Sequence, residues 1–326
     1  MRTLVDRVAA ITGAGSGIGR ATSEALARRG TDIAVIDTNE ARAAETADLV
    51  RAHGRRASVH IADVRDQERL EAVADEVVDQ HGGCHILVNN AGVTCAGGFA
   101  DEALEDLHWI VDINVWGVVH GCRAFLPVLL RADEAHIVNL SSMVGLLGLP
   151  HNAVYSLTKG AVRSFSEALR AELVTTDIGL TVVFPGAIRT DITNTARGTH
   201  AAQLASMGRS RFAPFAMRPP SVAARRIVGA IERDRARVTV GPDARALDFL
   251  VRLYPGRAGL VGRFTTRLRR PDGEEHGAEP VHGPDGRPVL GLLHAQRRDR
   301  LHLQPDDGHV QVRGDQGRLL HHLHLG

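Results

Sequence analysis

Up to about residue 240, the chain alternates short apolar runs with longer segments in which apolar residues recur every three or four positions. The short runs predict buried β-strands, and the longer segments predict amphipathic helices. The predicted strands are Val8–Thr12, Ile33–Ile36, Ser58–Ile61, Ile86–Val88, His136–Leu140, Thr181–Phe184 and Arg237–Val240. The predicted helices are Gly17–Arg29, Glu40–Ala52, Gln67–Gln80, Asp101 to about Leu130, and Asn152 to about Val174.

This alternation predicts an α/β fold, because parallel strands need crossover connections and helices supply them. We expect a Rossmann-type, doubly wound, mostly parallel sheet of about seven strands with helices on both faces. The residues up to about 270 form one domain in this interpretation. Residues of about 191–220 lack a strong core pattern and end in a proline pair, so we expect them to form a lid.

The composition changes near residue 270. Residues 271–326 are rich in Gly, Pro, Arg, Asp and His, and they show no clear strand or helix period. We predict that this tail is poorly ordered. Residues 244–270 mix leucines with arginines. They are expected to form a helix that packs on its own domain, and contact with a membrane surface or a partner subunit is the alternative.

Composition narrows the classes of partner. The 326 residues carry a formal net charge of +1, which gives no reason to expect nucleic acid as a partner. Three cysteines without a Cys-x-x-Cys pair do not predict a structural zinc site, and we expect no metal. No run approaches the roughly 18 apolar residues of a transmembrane segment. The strand pattern starts at the N-terminus without a signal peptide, so we expect a cytoplasmic location.

A glycine cluster directly follows the first predicted strand and opens the first predicted helix. It contains Gly13, Ser16, Gly17, Ile18 and Gly19. Glycines allow a tight turn and a close approach to a pyrophosphate, and the helix N-terminus offers free N–H groups. In this context the cluster predicts a dinucleotide-binding loop.

The loops after the next strands add polar residues at the same edge of the sheet. Asp37 ends the second strand, where a carboxylate accepts hydrogen bonds from the ribose hydroxyls and repels the extra phosphate of NADP. Thr38 and Asn39 follow it, so no cation comes directly after, and we predict NAD rather than NADP. Asp63 and Val64 follow the third strand, and Asn90 and Gly92 follow the fourth. All four are expected to contact the nucleotide.

Ser142, Tyr155 and Lys159 are the catalytic candidates. Tyr155 and Lys159 are four residues apart and therefore share one face of a helix. A neighbouring ammonium favours the phenolate and lowers the pKa of a tyrosine, so that the pair can exchange a proton with a substrate. Ser142 can donate a hydrogen bond to the substrate oxygen. Lys159 is the only lysine in the chain, which indicates a specific need for a compact ammonium.

Together these motifs resemble the short-chain dehydrogenase/reductase family, in its non-extended, single-domain branch. The resemblance covers about residues 5–241 and includes Thr-Gly-x-x-x-Gly-x-Gly, Asn-Asn-Ala-Gly, Tyr-x-x-x-Lys and a Pro-Gly pair after the sixth strand. It implies that Asn114 supports a water-linked proton relay and that Lys159 also holds the nicotinamide ribose. It further implies cofactor contacts from Tyr155, Pro185, Ile188 and Thr190, and a homodimer or homotetramer built through the two long helices.

The resemblance implies an NAD-dependent oxidoreductase that interconverts a secondary alcohol and a ketone. We expect a hydrophobic, lipid- or steroid-like substrate. Its pocket would be lined by Val93, Leu146, Leu147, Leu149, Phe212, Phe215 and Met217. The alternatives are a catalytically silent nucleotide-binding regulatory protein, an NADP-dependent carbonyl reductase, and an epimerase or dehydratase with tightly held NAD.

Overall fold

The computed structural model describes residues 1–209 and 217–254, together with strands at 302–306, 309–313 and 319–324. It divides into two units, residues 1–269 and residues 270–326. Phe212 and Phe215, and all of the segment 255–270, lie outside the described residues.

Seven parallel strands form the sheet of the first unit, which confirms the predicted α/β, Rossmann-type fold. They are β1 (Val8–Thr12), β2 (Asp32–Asp37), β3 (Ala57–Ile61), β4 (Ile86–Asn89), β5 (Ala135–Leu140), β6 (Ile178–Pro185) and β7 (Arg237–Val240). Their order across the sheet is β3-β2-β1-β4-β5-β6-β7. The order reverses between β1 and β4, and a crevice at such a switch point is where open α/β sheets bind ligands.

The described helices of this unit are α1 (Gly17–Ala27), α2 (Glu40–Ala52), α3 (Gln67–His81), α4 (Leu104–Val111), α5 (Gly117–Leu129), α6 (Ala153–Glu172), α7 (Ala201–Arg209), α8 (Pro220–Glu232) and α9 (Pro242–Leu253). Side-chain caps fix two of their starts: Asn39 accepts the N–H of Arg42, and Asp66 accepts the N–H of Arg69, each at 2.9 Å. Gly82 ends α3 in the left-handed conformation, with φ of 87°. These caps explain why the predicted bounds of α2 and α3 agree with the structure to within one residue.

The core lies on both faces of the sheet. Along β1, Val8 and Ala10 belong to one apolar cluster, while Ala9 and Ile11 belong to a second. Successive side chains of a strand point to opposite faces, so both faces of this central strand are covered. This double burial explains why the strands appear in the sequence as continuous apolar runs rather than as an alternation with polar residues.

The prediction of one long helix from Asp101 to about Leu130 is wrong, because the structure divides this segment into several elements. A 3₁₀ turn occupies Phe99–Asp101, α4 begins at Leu104, and a π-helical segment at Asp112–Trp116 separates α4 from α5. The π segment carries Asn114, whose side chain bonds the backbone of Val93 in the neighbouring loop. An extra residue in one turn re-aims a side chain in this way, and apolar periodicity does not reveal it.

The second unit contains three antiparallel strands where the sequence predicted none. They are β8 (His302–Asp306), β9 (His309–Arg313) and β10 (Leu319–His324), with β9 in the middle. The prediction that the tail is poorly ordered stays a prediction. Short strands of five or six residues carry too little periodicity to stand out in a tail dominated by polar and turn-forming residues.

Candidate active site

A cleft of about 600 Å³ opens at the carboxyl ends of the central strands. It is bordered by nearly all of the predicted site residues: Gly13, Ser16, Gly17, Ile18, Asp37, Asp63, Val64, Asn90, Gly92, Ser142, Tyr155, Lys159, Pro185, Ile188 and Thr190. Gly19 and Asn114, which were also predicted, are outside this lining but pack against Gly13 and Gly92, which belong to it. The fold thus brings residues that are up to 177 positions apart in the sequence to one crevice.

The glycine loop between β1 and α1 forms one wall. Gly17 has φ of 53°, a left-handed conformation that side chains with a Cβ rarely adopt. A Cβ on Gly19 would lie 2.3 Å from the carbonyl oxygen of Gly13, so only glycine allows this close packing of helix and loop. The N-terminus of α1 borders the cleft through Ser16, Gly17 and Ile18. This cradle fits the pyrophosphate of a dinucleotide.

Asn90 connects this loop to the next strand. Its Nδ2 donates to the carbonyl oxygens of Thr12 and Gly13, at 2.9 and 3.0 Å, and the Thr12 hydroxyl accepts the N–H groups of Asn90 and Ala91. Both hydrogens of the Asn90 amide are therefore engaged in holding the loop. The Asn90 side chain therefore stabilises the glycine loop that forms this wall of the cleft.

Acidic residues mark the other end of the cleft. Asp37 accepts hydrogen bonds from the N–H groups of Gly15, at 2.8 Å, and Asn39, at 2.9 Å. Asp63 is paired with Arg65 at 2.6 Å, and the hydrogen bonds from Arg65 lower the pKa of the Asp63 carboxyl. Both carboxylates can accept hydrogen bonds from a ribose or an adenine amino group.

Two arginines also border this end, and sequence reasoning missed them. Arg65 follows Asp63 by two residues, and Arg42 lies on α2, where it is 3.8 Å from Asp191 at the start of the predicted lid. Each therefore stands beside a carboxylate that partly balances its charge. The spacing of Asp63 and Arg65 was a visible signal, whereas Arg42 reaches the cleft only because α2 packs beside the glycine loop.

Tyr155 and Lys159 lie one turn apart on α6, as their spacing predicted. The Lys159 Nζ is 5.9 Å from the centroid of the Tyr155 ring and donates to the carbonyl oxygen of Leu140 at 3.0 Å. Ser141 fixes this part of α6 to β5, because its hydroxyl donates to the backbone carbonyl of Lys159 at 2.7 Å. The ammonium thus has one fixed partner and faces the cleft.

The pKa values of this pair differ from the sequence-based expectation. Burial raises the pKa of Tyr155, and a hydrogen bond from Ser142 opposes that rise only in part. Burial also lowers the pKa of Lys159 to about 8. The expected lowering of the tyrosine pKa by the lysine is therefore not seen. The rise comes from burial of the phenol, which disfavours its charged form.

Asn114 holds the loop beside the candidate catalytic residues. Its Oδ1 accepts the N–H of Val93 at 2.8 Å, and its Nδ2 donates to the Val93 carbonyl oxygen and to the Thr158 hydroxyl, at 2.9 and 3.1 Å. Thr158 in turn donates to the carbonyl oxygen of Tyr155 at 2.8 Å. Asn114 therefore connects the loop after β4 to the helix that carries the catalytic pair. The proton relay implied by the resemblance stays a prediction.

The substrate end of the cleft differs from the predicted pocket. Val93 borders it, but Leu146 packs in the core cluster and Leu147 is buried outside the lining. Neither Leu149 nor Met217 lines the cleft. The turn after Ser142 points the leucines inward, which a list of apolar residues could not show. Trp109, Ile113 and Ile192 supply apolar lining of the cleft instead.

Two observations on the described residues concern a possible contact with a membrane. None of the described helices is both long and apolar enough to cross a membrane. The helix α9 buries Ala244 and Leu247 against its own unit, in agreement with the first of the two interpretations, while Phe249, Leu250 and Leu253 remain exposed.

Comparisons with known proteins agree with the geometry. A family model described as short chain dehydrogenase matches residues 7–201. The protein named oxidoreductase SadH, from Mycobacterium tuberculosis, is 36% identical over 255 residues, which cover 78% of this chain and 92% of SadH.

Two solved structures show the same fold with nucleotides named in their descriptions. A short-chain dehydrogenase/reductase from Burkholderia phymatum, in complex with NAD, has a TM-score of 0.72 and 31% identity, covering 78% of this chain and 96% of that one. An alcohol dehydrogenase from Thermococcus sibiricus, complexed with 5-hydroxy-NADP, has a TM-score of 0.61 and 26% identity, covering 72% and 94%. From the family model, the relatives and the fold together, this chain belongs to the short-chain dehydrogenase/reductase family of oxidoreductases.

Proposed function

We propose that this oxidoreductase interconverts a secondary alcohol and a ketone, with Tyr155 as the acid and base. The observation that carries the proposal is the convergence of Ser142, Tyr155 and Lys159 with the glycine loop on one cleft. A bound nicotinamide cofactor supplies or accepts the hydride. The glycine cradle, the N-terminus of α1 and the carboxylate of Asp37 fit such a dinucleotide.

In ketone reduction, the phenol of Tyr155 donates its proton to the carbonyl oxygen while the hydride reaches the carbonyl carbon. In alcohol oxidation, Tyr155 takes the hydroxyl proton back. The Ser142 hydroxyl donates a hydrogen bond to the same oxygen as charge develops on it. Lys159 is proposed to contact the ribose and to exchange a proton, and its pKa of about 8 supports the second role. The raised pKa of Tyr155 favours the protonated phenol, which suits the donor role.

We propose NAD as the preferred cofactor because the carboxylate of Asp37 would repel a ribose 2′-phosphate. Arg42 and Arg65 stand near that end, but each faces an acidic partner. We propose a hydrophobic substrate because Val93, Trp109, Ile113 and Ile192 contribute apolar surface to the cleft that Tyr155 also borders.

The test compares wild type with Tyr155→Phe over secondary alcohols graded from small to steroid-sized, with NAD and NADP in parallel. We expect NADH formation by wild type, and a fall in kcat of about 10²–10⁴-fold in the variant, the range of a lost general acid–base group. NADH binding, followed by its fluorescence, serves as the control and should be unchanged. If both proteins bind NADH and neither turns over any alcohol, the silent regulatory function replaces this proposal. A higher kcat/KM with NADP contradicts the cofactor preference.

We also propose a homo-oligomer in which α4, α5 and α6 form the contact. Leu104, Trp116 and Leu157 are large apolar side chains on these helices and the π segment between them, and all three are exposed in the single chain. Light scattering on the full chain measures the mass in solution. A dimer or tetramer is expected, and a monomer at micromolar concentration contradicts the proposal.

A further inference from the structure

The predicted lid begins after Thr190, and part of it is docked onto the loop that follows β4. Arg197 donates its N–H to the Thr94 carbonyl oxygen at 3.1 Å and accepts the N–H of Ala96 at 3.0 Å. The N–H of His200 bonds the Ala96 carbonyl oxygen at 2.8 Å. These hydrogen bonds fix the backbone of Arg197 and therefore limit the positions that its side chain can reach.

The Arg197 guanidinium lies over the Trp109 ring, 4.1 Å from its centroid. It also forms an ion pair with Asp106 at 3.1 Å, one turn before Trp109 on α4. A guanidinium at this distance from an indole face is within the range of a cation–π contact. Because Asp106 balances the charge, Arg197 brings the lid to the tryptophan without adding an unpaired cation beside the cleft.

Trp109 is placed to affect the reaction. It borders the cleft together with Tyr155, and both pack on the small cluster formed by Cys95, Ile110 and Val154. Trp109 is thus a wall of the cleft next to the proton-transfer group, and its ring is covered by the lid through Arg197. A shift of this ring would change the room available to a substrate beside Tyr155.

We propose that Trp109 sets the size of substrate that the cleft accepts, and that Arg197 is a positioning residue that holds the ring and docks the lid upon it. The specificity part of this inference rests on the proposed alcohol–ketone reaction, whereas the docking part does not. The substrate end is then an uncharged, aromatic wall, suited to an alcohol or ketone without a charged group near the reacting carbon.

The chain offers a direct optical probe, because Trp109 and Trp116 are its only two tryptophans. In a Trp116→Phe parent, emission reports on Trp109 alone. We expect Arg197→Met to raise quenching by acrylamide and to shift the emission, since the outer face of the ring loses its cover. Arg197→Lys keeps a cation and should restore part of the parental signal. Unchanged quenching in Arg197→Met overturns the docking inference, whether or not any alcohol is turned over.

Kinetics test the role in specificity. For Arg197→Met, we expect KM for the best bulky alcohol to rise by about 3- to 20-fold, as loss of a cation–π contact with its ion pair would give. We expect kcat to change by less than about threefold and NADH affinity to stay the same, because Arg197 contacts neither Tyr155 nor the glycine loop. For Trp109→Ala, the ratio of kcat/KM for bulky over small alcohols should rise by about tenfold or more.

Arg28→Met is the matched control. Arg28 pairs with Glu24 at side-chain exposures of 58% and 24%, close to the 44% and 23% of Arg197 and Asp106, but it does not border the cleft. It should leave quenching and KM unchanged. Equal effects of Arg28→Met and Arg197→Met, or an unchanged substrate ratio in Trp109→Ala, overturn the specificity role. If wild type turns over no alcohol but Arg197→Met still uncovers Trp109, the docking inference stands and the proposed function fails.

Discussion

Two clusters built around a serine lie on the same parallel sheet. The first joins Ser142, Tyr155 and Lys159 at the cleft. The second lies at the edge strand β3, where Ser58 is 2.8 Å from the Nε2 atoms of both His60 and His81. His60 Nδ1 is 2.6 Å from Glu76, so serine, histidine and carboxylate line up in the order of a hydrolase triad.

In the second cluster, the polar side chains hydrogen-bond to one another. Arg69 bonds Glu76 and lowers the pKa of that carboxyl, so Glu76 is an anion that accepts from His60 Nδ1. His60 Nε2 is then the acceptor for the Ser58 hydroxyl, whose oxygen accepts from His81 Nε2. Ser58 and His60 are 7% and 1% exposed, and neither borders the cleft. The arrangement fastens α3 to β3.

The contrast shows that residue types alone do not make a site. Ser142 and Tyr155 follow the carboxyl end of a central strand, where the strand order leaves a crevice, and their groups face open space. Ser58 lies within an edge strand under a helix, and its hydroxyl has partners on both sides. In the proposed function, similar groups serve catalysis at the cleft, whereas at β3 they hold a helix to a strand.

Lys159→Met should give the largest effect at the first cluster. We expect kcat/KM to fall by about 10²–10⁴-fold, because Tyr155 would exchange its proton without the neighbouring ammonium. Yet the variant should be as stable as wild type or more so at pH 7. Burial lowers the pKa of Lys159 from 10.5 to about 8, so its charge makes the folded state less stable by about 3 kcal/mol at pH 7.

The sign of this effect can be checked by pH. Between pH 8 and 10.5 the unfolded chain holds a proton on Lys159 that the folded chain has lost, so wild-type stability rises with pH across that window. The advantage of Lys159→Met in denaturant melts should therefore shrink from pH 8 to pH 10. A variant that is less stable than wild type at pH 7, with no change of the gap with pH, contradicts the account.

Exchanging each serine for alanine separates the two clusters. Ser142→Ala should lower kcat by about 10²–10³-fold, as for a lost donor to a developing oxyanion. Its free energy of unfolding should change by less than about 1 kcal/mol, because its backbone bond to Val144 is long, at 3.4 Å. Ser58→Ala should leave kcat within about twofold but lower the free energy of unfolding by about 1–3 kcal/mol, since two buried ring nitrogens lose their partner. A loss of activity in Ser58→Ala at full stability would remove the distinction.

Much of the first cluster could be predicted from the sequence because its motifs are local. The glycine loop, the pair Tyr155 and Lys159, and Asp37 at a strand end each have a short spacing from which their role was predicted. All of them border one cleft, and all seven strands appear near their predicted positions.

The features that could not be predicted from the sequence depend on contacts between segments that are distant in the chain. Trp109 becomes a wall only because the lid brings Arg197 to it, 88 positions later. The cluster at Ser58 spans two elements whose histidines carry no motif. Leu146 and Leu147 were assigned to the pocket by their apolar character, but the turn after Ser142 sends them to the core and to other buried positions. Burial also reversed the expected shift in the pKa of Tyr155, because the cost of desolvation depends on packing.

The smallest expected effect concerns the pH dependence of the second cluster. The His81 Nδ1 is buried without a hydrogen-bond partner within the described residues, and burial, followed by the charge of Arg56, lowers the pKa of this histidine below 6.5. As pH falls below about 6.5, the unfolded chain takes up a proton that the folded chain resists, so this histidine makes the protein less stable in acid.

His81→Gln keeps a donor for Ser58 and removes the titration. Urea melts from pH 7 to pH 5 should show wild type losing stability faster than the variant. Other histidines with lowered pKa values, such as His136, contribute equally to both proteins, so the difference isolates His81. Parallel curves would mean that the folded chain takes up a proton on His81 as readily as the unfolded chain does, which contradicts this account.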